Sequence, residues 1–247
     1  MIEELLPGTA AVAEAFDDPP DAVLLPAEEA LLVNAVEPRR REFRTVRHLA
    51  RQALAELGIP PVPVLCGPSR EPCWPAGVVG SITHCAGYRA AVVAPEAALV
   101  TVGIDAEPNE PLPTGVLAEV ATPEERVWVG VYLDAHPAVR WDRLLFSIKE
   151  AVYKAWFPLA RRWLDFEEAV VRVDPSQGTF TARILVPGPP LPDGGALTAL
   201  SGRWLVRQGL VLAAASLPAA SGAADGLVTR RPCTQVGPAA DGSSSRP

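Results

Sequence analysis

Apolar residues first recur at helical spacing between Arg40 and Leu57, where Phe43, Val46, Ala50, Ala53, Leu54 and Leu57 share a face until Gly58, Pro60 and Pro61 end the run. The opposite face carries Arg40, Arg44, Arg47 and Arg51. A Pro-rich stretch over 60–75 leads into three segments that read as short strands, Val78 to Thr83, Arg89 to Ala94 and Val100 to Glu107. Helical spacing returns near Pro123 to Leu133 and from about Trp141 to Phe157. Strand-like runs follow at Ala169 to Val173, Phe180 to Val186, Gly202 to Val206 and Leu210 to Ala215, parted by Gly, Pro and Asp turns. Helix-then-strands thus occurs twice, which predicts an α+β chain of two related halves joined near residues 104–110. The expected division is an N-terminal half over 1–104, whose acidic, Pro-interrupted segment 1–36 wraps the domain, and a C-terminal half over 105–217. Residues 218–247 are rich in Ala, Gly, Ser and Pro without a periodic apolar face, and are expected to form a disordered tail.

Composition narrows the function classes. A hydrophobic content of 49% over 247 residues is enough for a sizeable core. The first residues carry acids where a signal peptide carries bases, and no apolar run is long enough to cross a bilayer, so a cytoplasmic protein without membrane contact is expected. The net charge of −7 argues against a protein that coats nucleic acid, although six arginines crowd between Arg39 and Arg51. The aromatic ring among them, Phe43, lies on the apolar face and leaves the arginine face without rings for base stacking, so a small ligand bearing phosphates fits the basic face better than nucleic acid. Cys66, Cys73, Cys85 and Cys233 show neither CxxC pairing nor dense spacing, which points to reduced thiols and to neither a zinc site nor a disulfide framework.

Candidate chemistry concentrates in three short stretches. The only lysines, Lys149 and Lys154, fall in Phe146-Ser-Ile-Lys-Glu-Ala-Val-Tyr-Lys154, and every other basic position is arginine. Lysine offers a compact, titratable point charge that arginine cannot imitate. Glu150 and Lys154, four apart, share a helix face, which is compatible with a solvated ion pair or with a charged face turned to a site. In Val100-Thr-Val-Gly-Ile-Asp-Ala-Glu107 the period of two puts Asp105 and Glu107 on one strand face, where they form either a solvated edge or a pair sharing a hard cation with Glu150. In Gly80-Ser-Ile-Thr-His84, a strand running into a turn, Ser81, Thr83 and His84 could donate to a phosphate.

Taken together and in this order, Gly80 to His84, Val102 to Glu107 and Phe146 to Lys154 resemble the 4′-phosphopantetheinyl transferases of the surfactin and enterobactin synthetase type. Glu71-Pro-Cys-Trp-Pro75 and Lys154-Ala-Trp-Phe-Pro-Leu159 with Arg162-Trp-Leu164 are similar to the actinobacterial branch, and the resemblance covers about residues 37–215. It implies a monomeric pseudo-dimer of two α+β halves with coenzyme A bound in the cleft between them. It further implies transfer of the 4′-phosphopantetheine arm to a serine of apo acyl or peptidyl carrier proteins, with release of 3′,5′-ADP. The systems served could be fatty acid, polyketide, non-ribosomal peptide or siderophore synthesis. By resemblance, Asp105, Glu107 and Glu150 hold Mg²⁺ or Mn²⁺, Glu150 also acts as the base, and Lys154 serves the leaving group. Lys149 would contact the phosphates, and Arg39, Arg47, Ser81, Thr83 and His84 would complete the coenzyme site. Tyr153, Trp163 and Leu164 would line the pantetheine channel or belong to the core. One departure stands out: related chains place a lysine where this one has Cys66, and either Arg70 in the same loop replaces it or binding rests more on Arg39, Arg40 and Arg47. The alternatives are a coenzyme A sensor without turnover, and a Mg²⁺-dependent phosphohydrolase.

Overall fold

The computed structural model describes residues 1–220. Its elements run β1 (Ala11–Ala15), α1 (Pro26–Glu29), α2 (Glu37–Glu56), β2 (Leu65–Cys66), β3 (Pro72–Cys73), β4 (Val78–Cys85), β5 (Tyr88–Pro95), β6 (Leu99–Pro108), α3 (Val116–Val120), α4 (Pro123–Ala135), α5 (Trp141–Ala160), β7 (Ala169–Asp174), β8 (Thr179–Ile184), β9 (Ala199–Arg207) and β10 (Leu210–Pro218). The chain is α+β, as its periodicity predicts. An antiparallel three-stranded sheet has the order β1-β5-β4, and an antiparallel five-stranded sheet the order β6-β10-β9-β8-β7.

Alternation along the strands explains the layering. Ala91 and Val93 of β5 pack against Leu49, Ala50, Ala53 and Leu54 of α2, while Ala90, Val92 and Ala94 turn to the other face. On β10, Val211, Ala213 and Ala215 meet α5, while Leu210, Leu212 and Ala214 turn inward. The inward faces of both sheets, with Val102, Ile104 and Ala106 of β6, close over a shared core. Each sheet therefore carries one long helix on its outer face, and burial of both strand faces explains the near-continuous apolar runs.

At the seam β4 lies beside β6, and hydroxyl groups join them. Ser81 Oγ accepts the Ile104 N–H at 3.1 Å, and Thr83 Oγ1 accepts the Ala106 N–H at 3.1 Å. These buried side chains satisfy strand groups that no neighbouring backbone reaches.

Four features depart from expectation. Segment 1–36 does more than wrap: β1 extends the first sheet, and Ile2 and Leu5 sit in the shared core. Strand β6 spans the expected boundary at 104/105 and belongs wholly to the five-stranded sheet, so the sheets part at the turn over 96–98. Strand β10 runs through Pro218, and the Ala219 N–H donates to the Ala98 carbonyl at 3.0 Å, so ordered backbone continues past the expected start of the tail. The remainder of that tail, 221–247, lies outside the described residues. Cys66 and Cys85 are free thiols, but Cys73 is disulfide-bonded, contrary to the expectation of reduced thiols. Among the described residues no helix is long and apolar enough to cross a membrane.

Candidate active site

The site is organised by the crossing of α5 over β6. Thr101, Gly103, Asp105 and Glu107 share the outer face of β6, opposite Val102, Ile104 and Ala106. Gly103 has no side chain to spare: a Cβ there would overlap the Ala151 carbonyl oxygen of α5, and Thr101 Oγ1 donates to the Ala155 carbonyl at 2.7 Å. The helix therefore lies close on the strand, with its acidic and basic positions over the strand carboxylates.

Lys154 Nζ donates to Asp105 Oδ1 at 2.7 Å and to the Ile104 carbonyl at 3.1 Å. The ion pair of Lys154 is thus made from α5 to Asp105 of β6, at the crossing. Thr83 Oγ1 also approaches Asp105 Oδ1, at 3.4 Å, while Asp105 Oδ2 is buried with no hydrogen-bond partner. Glu107 Oε2 accepts from Arg143 Nη1 at 3.0 Å, and Arg143 holds the Glu110 and Pro111 carbonyls as well. Burial first, then the charge of Asp105, raises the proton affinity of both Glu107 and Glu150 above the ordinary glutamate range. Three carboxylates are therefore electrostatically coupled, with Lys154 and Arg143 as their cations. Among the described residues no three ligating side chains are already gathered as a metal-binding group.

Beside these acids opens a cavity of about 910 Å³, walled by α2, the β2–β3 hairpin, β4 and α5. Lys154 lines it and connects it to Asp105; Arg39, Arg47, Arg70 and Arg161 supply further positive charge. Arg39 Nη1 meets His84 Nε2 at 3.1 Å, and burial lowers the His84 pKa. Arg47 is buried over the Phe43 ring, 4.2 Å from its centroid, and desolvation lowers its pKa. Tyr153 lines the cavity and packs against the exposed Trp163 with ring centroids 4.6 Å apart and planes tilted by 51°, whereas Leu164 is a core residue.

The structure thus gathers Asp105, Glu107, Glu150 and Lys154 at the crossing, and Arg39, Arg47 and His84 in the cavity wall. Ser81 and Thr83 also line the cavity, yet their oxygens are engaged across the seam. Lys149 is not brought to the cavity, which corrects the expectation that it contacts phosphates. Its Nζ is buried on another face of α5, donating to Glu125 Oε2 at 2.7 Å, the Val120 carbonyl at 2.9 Å and the Phe166 carbonyl at 2.6 Å. Sequence reasoning missed Arg143 and Glu125. Arg143 was within reach of it, since it stands seven residues before Glu150 and hence on nearly the same helix face.

Coupled acids, a lysine at the crossing and an arginine-lined cavity on an α+β scaffold have the make-up of a transferase working on a phosphate-bearing ligand. Comparison with known proteins makes this specific. Residues 27–94 match the family "4'-phosphopantetheinyl transferase N-terminal domain", and residues 101–193 match the "4'-phosphopantetheinyl transferase superfamily". The chain is 52% identical over 228 residues to the 4'-phosphopantetheinyl transferase Svp of Streptomyces mobaraensis, covering 91% of this chain and 92% of that protein. It is 50% identical over 222 residues to the 4'-phosphopantetheinyl transferase PptT of Mycobacterium tuberculosis, covering 87% and 96%. The 4'-phosphopantetheinyl transferase Npt of Nocardia iowensis is 48% identical over 221 residues, covering 87% and 98%. The chain belongs to the 4′-phosphopantetheinyl transferases and is a transferase enzyme.

Proposed function

We propose that the protein is a cytoplasmic monomer that moves the 4′-phosphopantetheine arm of coenzyme A to a serine of an apo acyl or peptidyl carrier protein. The observation that carries this reading is the junction at Lys154, which lines the basic cavity and pairs with Asp105 beside Glu107 and Glu150. The coenzyme would occupy the cavity, with its 3′-phosphate toward Arg39, Arg47 and His84. This reading treats the two sheets with their long helices as the halves of a pseudo-dimer, and the cavity as the cleft between them.

The residues fit a divalent cation. Asp105 Oδ2 is buried without a partner, and the raised proton affinities of Glu107 and Glu150 reflect burial first and then the Asp105 charge, which a cation would relieve. Mg²⁺ needs only one or two carboxylates when waters and phosphate oxygens complete its shell, so a ready-made group of three protein ligands is not required. Asp105, Glu107 and Glu150 would hold Mg²⁺ or Mn²⁺, which when bound would neutralise pyrophosphate charge.

The protein's own groups would supply the rest. Glu150, its proton affinity raised by burial and then by the Asp105 charge, would take the proton of the carrier serine. The serine oxygen would bond to the phosphorus bearing pantetheine as the bond from that phosphorus to the 3′,5′-ADP oxygen breaks. Lys154, held by Asp105, would meet the charge developing on that departing oxygen. Intact-protein mass spectrometry of apo carriers incubated with the protein, coenzyme A and Mg²⁺ tests the proposal, with EDTA and carrier Ser→Ala controls. One phosphopantetheine should be added only where metal and serine are both present. No addition to any carrier by protein that still binds coenzyme A would favour a sensor without turnover.

A further inference from the structure

One group in the cavity wall has no part in the function proposed above: the Cys66 thiol, which the Arg47 guanidinium faces. Arg47 is 4% exposed, yet among the described residues no carboxylate pairs with it, and its Nε has no hydrogen-bond partner. Its Nη2 donates instead to Cys66 Sγ at 3.2 Å. Cys66 is free, only partly buried, and lines the same cavity from β2. An incompletely partnered buried cation calls for an anion. The same charge draws anionic reagents into a cleft with low-dielectric walls.

We propose that Cys66 is a thiol–disulfide exchange site for small anionic disulfides, whose acidic group is received by Arg47, and that its modification closes the cavity reversibly. The chemistry is balanced without a further oxidant. Cys66 loses its proton to solvent, its sulfur attacks one sulfur of the disulfide, and a new S–S bond forms as the old one breaks. The departing thiolate carries away the electron pair. Cys66 is thereby oxidised to a mixed disulfide, half of the reagent is reduced to thiol, and a second small thiol reverses the step. Closure of the cavity rests on the coenzyme reading above, whereas the exchange itself rests on Arg47 and Cys66 alone. The second free thiol, Cys85, has the acids Asp105 and Glu107 for neighbours and serves as an internal comparator.

The test treats the full chain with dithionitrobenzoate, which carries two carboxylates, and in parallel with neutral dithiodipyridine, mapping the labelled cysteine by peptide mass spectrometry. Dithionitrobenzoate should label Cys66 ahead of Cys85. Its rate advantage over the neutral reagent, normalised to a free small thiol, should be on the order of tenfold and should vanish in Arg47→Gln. Labelled protein should lose carrier modification and coenzyme binding and regain both with dithiothreitol. Cys66→Ser protein should behave alike before and after treatment. Labelling confined to Cys85, or an anionic preference that survives Arg47→Gln, would overturn the exchange site. Labelling of Cys66 that leaves coenzyme affinity unchanged would overturn the closure. Failure of the untreated protein to bind coenzyme A at all would instead overturn the reading of the cavity, with the exchange result unaffected.

Discussion

Lys149→Met separates a structural role for this lysine from a ligand-binding one. The ammonium is 3% exposed and its partner Glu125 is fully buried. Glu125 is itself bound on both oxygens, Oε1 accepting the Val171 N–H and Oε2 the Thr122 N–H, each at 2.7 Å. One buried pair thus ties α5 to the end of α3, the start of α4, the turn at Phe166 and strand β7. Methionine fills a similar volume but leaves the Glu125 carboxylate buried without its cation. Removing one partner of such a pair typically costs about 3–5 kcal/mol. With an m-value of about 3 kcal/mol/M, the urea midpoint should fall by about 1–2 M. Adding Glu125→Gln should recover part of the loss, because the uncompensated charge is then gone. Coenzyme A affinity measured by calorimetry on the folded variant should stay near that of the parent. An unfolding curve unchanged within about 0.5 kcal/mol, together with clearly weaker coenzyme binding, would show that the buried pair is not the role of Lys149.

Other perturbations test the crossing and the cavity. Glu150→Gln should lower the transfer rate by about 10²–10⁴ while calorimetry still detects coenzyme A; normal turnover would refute the base assignment. Because burial first and then Asp105 raise the Glu150 pKa in the metal-free protein, its carboxyl resonance should titrate above the ordinary glutamate range by NMR, and Mg²⁺ should move that titration down. An unshifted titration without metal, or one that Mg²⁺ leaves in place, would contradict this. Gly103→Ala should push α5 off β6, costing about 1–3 kcal/mol in denaturant unfolding and reducing kcat more than coenzyme affinity, since it parts Lys154 from Asp105. Arg70 lines the cavity and is the proposed replacement for the lysine absent at Cys66, so Arg70→Ala should weaken coenzyme binding by about 1.5–3 kcal/mol; unchanged affinity would exclude that replacement.

Elements with a clean period were legible, and those set by tertiary contacts were not. The helix read from Arg40 is α2, and its Gly58–Pro60–Pro61 stop falls where the helix ends. Pro158 did not end α5 at Phe157, because the helix runs on to Ala160 and leaves through Arg161 at φ 52°. Strand β1, Ala-Val-Ala-Glu-Ala, has little intrinsic strand preference and is a strand because β5 offers it an edge. The same holds for the parting of the sheets. An alternating strand carries no mark of which sheet it joins, so β6 was divided at 104/105 although all its ladder partners are on β10.

At the site, the one-face arguments held and the choice of partners did not follow from them. A period of two places Asp105 and Glu107 together, and a period of 3.6 places Glu150 with Lys154, but nothing local says that Lys154 will reach Asp105. That contact depends on Gly103, whose missing Cβ lets α5 settle on the strand. The misreading of Lys149 is more instructive, because the geometry to avoid it lay in the helix itself. At about 100° per residue, Lys149 points about 140° away from Lys154, so one face cannot present both lysines to the same phosphates. The clustering of the only lysines in one run suggested a shared task. The helix gives them separate ones: Lys154 faces the strand acids and the cavity, while Lys149 neutralises Glu125 behind the helix, where α4 and β7 meet it. Retention of lysine in a chain that otherwise uses arginine then has a hydrogen-bonding reason at Lys149, since its three ammonium donors match two carbonyls and a carboxylate, where a guanidinium would bring five donors in a fixed plane.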